Sequence, residues 1–94
     1  MARCMYRHRV IVNGLPQKIG LGGDPLHVEA ARVWVGADAQ HAVDFWAESA
    51  GEGAAVRTFQ VFGTGHPLPD GARYWGPTAR TSEGLVWHLY ELQG

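Results

Sequence analysis

Turn-forming residues interrupt this chain at short intervals, and that spacing constrains its fold more than any other feature. Asn13-Gly14, Gly22-Gly23-Asp24-Pro25, Gly36, Gly51-Glu52-Gly53, the stretch Gly63 to Pro69, Gly76-Pro77 and Gly84 cut it into short segments. Asn-Gly supplies the positive φ angles of a tight hairpin turn, and the residue before Pro25 is held away from helical geometry. Within the segments apolar residues alternate with polar ones, the period of a strand with one buried face. No segment carries a sustained helical period.

The segments read as follows. Met5–Val12 places Tyr6, His8 and Val10 on one face and Arg7 and Arg9 on the other. Gln17–Leu21 is a short strand with Ile19 inward. Leu26–Val35 ends in Val33-Trp34-Val35, which favours β structure. Gly36–Gln40 reads as a turn, and His41–Glu48 fits a strand, although Asp38–Glu48 also fits a helix capped by Asp38. The strand would put Val43, Phe45 and Ala47 against Asp44, Trp46 and Glu48, and it is preferred because the neighbours are strands and Gly51-Glu52-Gly53 closes a hairpin. Ala55–Phe62 carries Arg57, Phe59 and Val61 on one face and Val56, Thr58, Gln60 and Phe62 on the other. Ala72–Trp75 is a short strand, and Leu85–Leu92 separates Trp87, Leu89 and Glu91 from His88, Tyr90 and Leu92. Together these predict an all-β fold, a compact antiparallel sandwich or barrel-like meander of about six to seven short strands. One domain spans residues 1–94.

Charge and composition bound the partners. Eight Lys and Arg against nine Asp and Glu leave a formal net charge of -1, which argues against binding a nucleic-acid polymer. Lys18 is the only lysine. Arginine grips phosphate and carboxylate bidentately, although a GC-rich coding sequence also favours it. The single cysteine, Cys4, allows no internal disulfide and suits a reducing cytoplasm. No apolar run is long enough for a membrane helix, and MARCMYRHRV lacks the apolar segment of a secretory signal, so no membrane association is expected. Four Trp, three Tyr and three Phe are many aromatics for 94 residues. They imply an aromatic core together with a ligand pocket or subunit interface, and a homo-oligomer is expected.

The sequence contains no HExxH, GxSxG, P-loop or CxxC motif, so no catalysis, cofactor or metal is expected. The histidines His8, His27, His41, His66 and His88 show no ligand spacing on one element; His88 reads as a partly buried, hydrogen-bonded residue. Glu83 and Glu91 read as solvated, and Trp34 and Trp87 as core. The binding inventory is richer. In VFGTGHPLP, Val61–Pro69, Gly63 and Gly65 free the backbone, Thr64 and His66 add a hydroxyl and an imidazole, and the loop can turn backbone N–H groups to an anion; a strand end with a tight turn uses the same residues. Trp46, Tyr74 and Trp75 offer rings for stacking, with Asp44 and Glu48 as acceptors beside Trp46. Arg57, Arg73 and Arg80 offer phosphate forks. These residues suit a nucleotide: the base on Trp46, Tyr74 and Trp75, phosphate on Arg57, Arg73 and the amides of Gly63, Thr64 and Gly65, and His66 against ribose or phosphate. So small a domain has little room for an enclosed cavity, so the pocket is expected between subunits.

Phe59–Pro69 (FQVFGTGHPLP), Tyr74–Thr78 (YWGPT) and Leu85–Glu91 (LVWHLYE) resemble a family of small bacteriophage and prophage proteins, and Gly23–Val28 (GDPLHV) and Asp44–Glu48 (DFWAE) fit its pattern. The resemblance covers nearly the whole chain. Trp75 departs from it, standing where a smaller residue is usual. The resemblance implies a phage accessory protein acting in the host bacterial cytoplasm. Proteins of this kind include sponges that sequester cyclic nucleotide immune signals, such as cyclic ADP-ribose derivatives, without cleaving them. That is the function expected here. The alternatives are a phage structural or protein-binding module that inhibits a host protein, and a phosphodiesterase-like enzyme using His66 and His88.

Overall fold

The computed structural model describes residues 3–49 and 55–93. Among these residues seven strands form: β1 (Cys4–Ile11), β2 (Gln17–Leu21), β3 (Pro25–Val35), β4 (Asp38–Ser49), β5 (Ala55–Gly63), β6 (Arg73–Pro77) and β7 (Trp87–Leu92). The hairpin loop expected at Gly51-Glu52-Gly53 lies outside the described residues. Asp38–Ser49 is a strand because Val43, Phe45 and Ala47 alternate into the core while β1 and β3 pair with it on either side. A helix would point those three side chains in different directions.

All pairings are antiparallel, in a three-stranded sheet ordered β1-β4-β3 and a four-stranded sheet ordered β2-β5-β7-β6. The two sheets stay separate, so the fold is a sandwich and not a closed barrel. The chain crosses between sheets after β1. Gly14, at φ 73°, makes the turn, and the side chain of Gln17 then binds both backbone groups of Ile11: it accepts from the N–H at 2.8 Å and donates to the carbonyl at 2.7 Å. This side-chain amide stands in for a strand neighbour where the ladder ends.

The core lies between the sheets. Val10, Leu21, Val43, Phe45, Ala47, Phe59, Val61 and Leu89 are its buried members, with Ile19, Val28, Trp75 and Trp87 packed against it. The rings of Phe45 on β4 and Phe59 on β5 meet across the two layers with centroids 5.1 Å apart. Trp87 therefore packs on the core as expected. Trp34 does not: it is 71% exposed. β1 pairs with β4 only as far as Ala42, so residues 32–41 continue as a two-stranded ribbon, and Trp34 stands on it opposite Ala39. Glu83, read as solvated, ties the loop before β7 to that ribbon through an ion pair with Arg32 and a contact with His41.

Candidate functional site

The sandwich has apolar inner faces that end in charge. On β5 the inward row Val61, Phe59 runs out at Arg57, and on β7 the row Leu89 runs out at Glu91, with Phe59 opposite Glu91 in the ladder. Alternation thus carries one cation and one anion into the mouth of the sandwich, where they meet. Arg57 donates from Nε and Nη2 to the two Glu91 oxygens at 2.9 and 2.7 Å. Its Nη2 also lies 2.9 Å from Asp24 Oδ1. Trp75 Nε1 donates to Glu91 at 3.0 Å. The guanidinium of Arg57 holds the Glu91 carboxyl below the ordinary carboxylate range, with the Trp75 bond adding to the effect against opposing burial. The same pairing raises Arg57. Arg73 lies over the Trp75 ring, its Cζ 4.2 Å from the centroid, a cation–π stack.

Beside this cluster opens a cleft of about 710 Å³, lined among others by Lys18, Arg57, Arg73, Glu91 and Gln93. It forms because β7 stops at Leu92, opposite Thr58, while β5 runs on to Ala55. Gly71 sits at its edge with φ 77°, where a Cβ would lie 2.7 Å from the Gln93 side chain. Among the described residues neither Lys18 nor Arg73 has an acid within ion-pair distance, whereas Arg57 has two. Arg57 is therefore part of the frame of the cleft, and Lys18 and Arg73 are its cations without an ion-pair partner, Arg73 being stacked on Trp75. Lys18 escaped the sequence reading, although its standing as the only lysine in an arginine-rich chain was a visible signal. Glu91, read as solvated, is the acceptor that orders the cluster; its place in the inward row after Trp87 and Leu89 was the clue.

The residues expected to share one nucleotide site fall at four places within the chain. Arg57, Arg73 and Trp75 meet at the cleft. Tyr74, next to Trp75, points to the opposite face of the sheet, where its ring meets Tyr90 and His88 with centroids 5.0 and 5.9 Å away. Gly63, Thr64, Gly65 and His66 lie at the other end of β7, since Gly63 pairs with Trp87; a six-residue strand separates the two ends by roughly 17 Å. Trp46 lies on the outer face of the other sheet, its ring centroid 5.4 Å from that of His27. The acceptors expected beside it are engaged: Asp44 is 5% exposed and receives Arg9 Nε and Nη2 at 2.6 and 2.9 Å, and Glu48 receives Arg3 at 3.3 Å.

The loop after β5 has its own order. His66 N–H donates to the Gly63 carbonyl at 3.2 Å, and Gly63 N–H donates to His66 Nδ1 at 3.2 Å. The imidazole covers Gly63 so closely that a Cβ there would lie 3.1 Å from its Cε1. His88, half-buried, lines the same small pocket as His66, with Thr64 Oγ1 at 3.0 Å from Nε2 and the Tyr74 hydroxyl at 3.1 Å from Nδ1. His66 and His88 thus bond to different partners. No group of three or more His, Cys, Asp or Glu among the described residues is placed to hold a metal ion.

No curated protein and no solved structure matches this chain. A protein-family model matches residues 1–94 in full, and the chain belongs to that family, described as Domain of unknown function (DUF7352).

Proposed function

We propose that this is a phage accessory protein that binds and sequesters a cyclic nucleotide signal, such as a cyclic ADP-ribose derivative, without cleaving it. The observation that carries the reading is the cleft of about 710 Å³ with two cations that have no ion-pair partner among the described residues, Lys18 and Arg73, on its wall. An open cleft with unpaired cations draws an anionic ligand, and an arginine fork fits phosphate oxygens. Trp75 beside them supplies a ring for the base, once Arg73 leaves its face for the phosphate. Trp46, Tyr74 and the Gly63–His66 loop take part only if a second copy brings them to the cleft. The phage assignment and the host cytoplasm rest on the sequence resemblance.

The test incubates the pure protein with signals made by TIR-domain enzymes and with cyclic dinucleotides, then measures loss of free ligand and its recovery after heat denaturation. Depletion with intact recovery is expected, and Lys18→Ala with Arg73→Ala should abolish it. No depletion at micromolar protein refutes the reading, and recovery of a cleaved product replaces it with the phosphodiesterase reading.

A second reading, a protein-binding module, draws on the exposure of Trp34 at 71% and Leu26 at 61% on the edge strand β3. A large exposed aromatic with an aliphatic neighbour on such an edge suits an interface hot spot. A host-protein partner lost on Trp34→Ala, with no ligand depletion, would favour it.

A further inference from the structure

The outer face of the four-stranded sheet carries a second pocket, at the opposite end of β7 from the cleft. It measures about 150 Å³ and is walled by Phe62, Tyr90 and His88 on the sheet and by the loop from Gly63 to Leu68, with Thr64 and His66 among its lining. We infer that this pocket binds a single uncharged sugar ring.

Three observations lead there. First, no Asp, Glu, Lys or Arg lines the pocket. A charged ligand would meet no permanently charged side chain, only the imidazoles of His66 and His88, and burying a charge uncompensated is costly. A volume of 150 Å³ corresponds to roughly five waters at about 30 Å³ each. That accommodates one five- or six-membered ring but not a base with its ribose and phosphate.

Second, the polar groups form a chain, Thr64–His88–Tyr74, with links of 3.0 and 3.1 Å. A neutral imidazole has one N–H and one lone pair. When Nδ1 carries the proton it donates to the Tyr74 hydroxyl, and Nε2 accepts from Thr64. When Nε2 carries it, both bonds reverse. In the first state Tyr74 O–H is free to donate and Thr64 Oγ1 to accept; in the second the roles exchange. Of the two ends Thr64 lines the pocket, so its hydroxyl accepts from a ligand in the first state and donates to it in the second. A sugar hydroxyl, both donor and acceptor, matches Thr64 in either state.

Third, the walls are apolar and fixed. Phe62 and Tyr90 meet edge to face at 5.5 Å, and Tyr90 continues to Tyr74 at 5.0 Å, an aromatic surface for the C–H face of a ring. The loop wall is braced by the reciprocal bonds between Gly63 and His66, so little ordering is needed on binding.

The test is an NMR titration of the full chain with methyl glucoside, methyl ribofuranoside, N-acetylglucosamine and inorganic phosphate, each to about 50 mM. At least one sugar should shift the His88, Tyr90 and Thr64 resonances with a Kd on the order of 1 mM, while phosphate leaves them unmoved. Thr64→Val should weaken that sugar about tenfold, and Leu68→Trp, which fills the pocket without touching the chain, should abolish binding. The two variants guard against misfolding of either one, and the wild-type titration stands alone. Absence of any sugar shift overturns the inference, as does phosphate moving the same resonances equally. Neither result bears on the nucleotide reading, whose cleft lies at the other end of the strand.

Discussion

Replacing Glu91 by Gln removes one charge and leaves the shape of the side chain intact. Glu91 accepts two bonds from Arg57 and one from Trp75. A bond to a charged group contributes a net ~1.5–3 kcal/mol, and breaking a fully buried ion pair costs about 3–5 kcal/mol. The two side chains are 19% and 20% exposed, and Asp24 remains 2.9 Å from Arg57 as a second acceptor, so the loss falls at the lower end, about 2 kcal/mol. For a domain of 94 residues this lowers Tm by roughly 8–16 °C. The assay is urea and thermal unfolding followed by circular dichroism and tryptophan fluorescence, near neutral pH and in acid. Because the folded Glu91 is held below the ordinary carboxylate range, its stabilisation is complete above that range and is lost as pH falls through it towards the lowered folded value. Wild type and Glu91→Gln should therefore differ near neutrality and converge in acid. A difference below about 0.5 kcal/mol near neutral pH, the usual effect of a surface change, or one that persists unchanged into acid, would refute the reasoning.

Arg9→Ala should destabilise the protein by about 2–4 kcal/mol, because it leaves the buried Asp44 carboxylate, 8% exposed, without its guanidinium; the additional Asp44→Leu exchange should recover much of that loss in the same urea titration. Gly63→Ala should cost about 1 kcal/mol by pushing the His66 ring away from a Cβ at 3.1 Å. Gly63→Ala combined with His66→Ala should cost less than the sum of the two single changes, and strict additivity in thermal melts would show that the ring does not occupy that space.

The strand pattern was legible because alternation is a local property. The inward rows of β4 and β5 can be read from Val43, Phe45, Ala47 and Phe59, Val61 without knowing what they face, and turn residues mark where each row stops. The fate of the aromatics was less legible. Trp34 has the surroundings of a core residue in sequence, but its exposure depends on where β1 ends relative to the β3–β4 hairpin. Glu91 and Glu83 look alike as acids near the C-terminus, and only the positions of Arg57 and Arg32 distinguish their roles.

The grouping of the candidate site residues shows the same division. Tyr74 and Trp75 are neighbours in the chain, so sequence suggests one stacking surface; the pleat sends them to opposite faces of a sheet. Arg57 and Gly63 lie six residues apart on one strand, and its extended rise alone, roughly 20 Å over that length, puts them at opposite ends of the sheet. Residue types, their period and the turns between them determined the kind of fold and which side chains share a face. Strand order, register and strand length decided which charges meet across strands and where a cleft opens, because those contacts join residues far apart in sequence that no local pattern encodes.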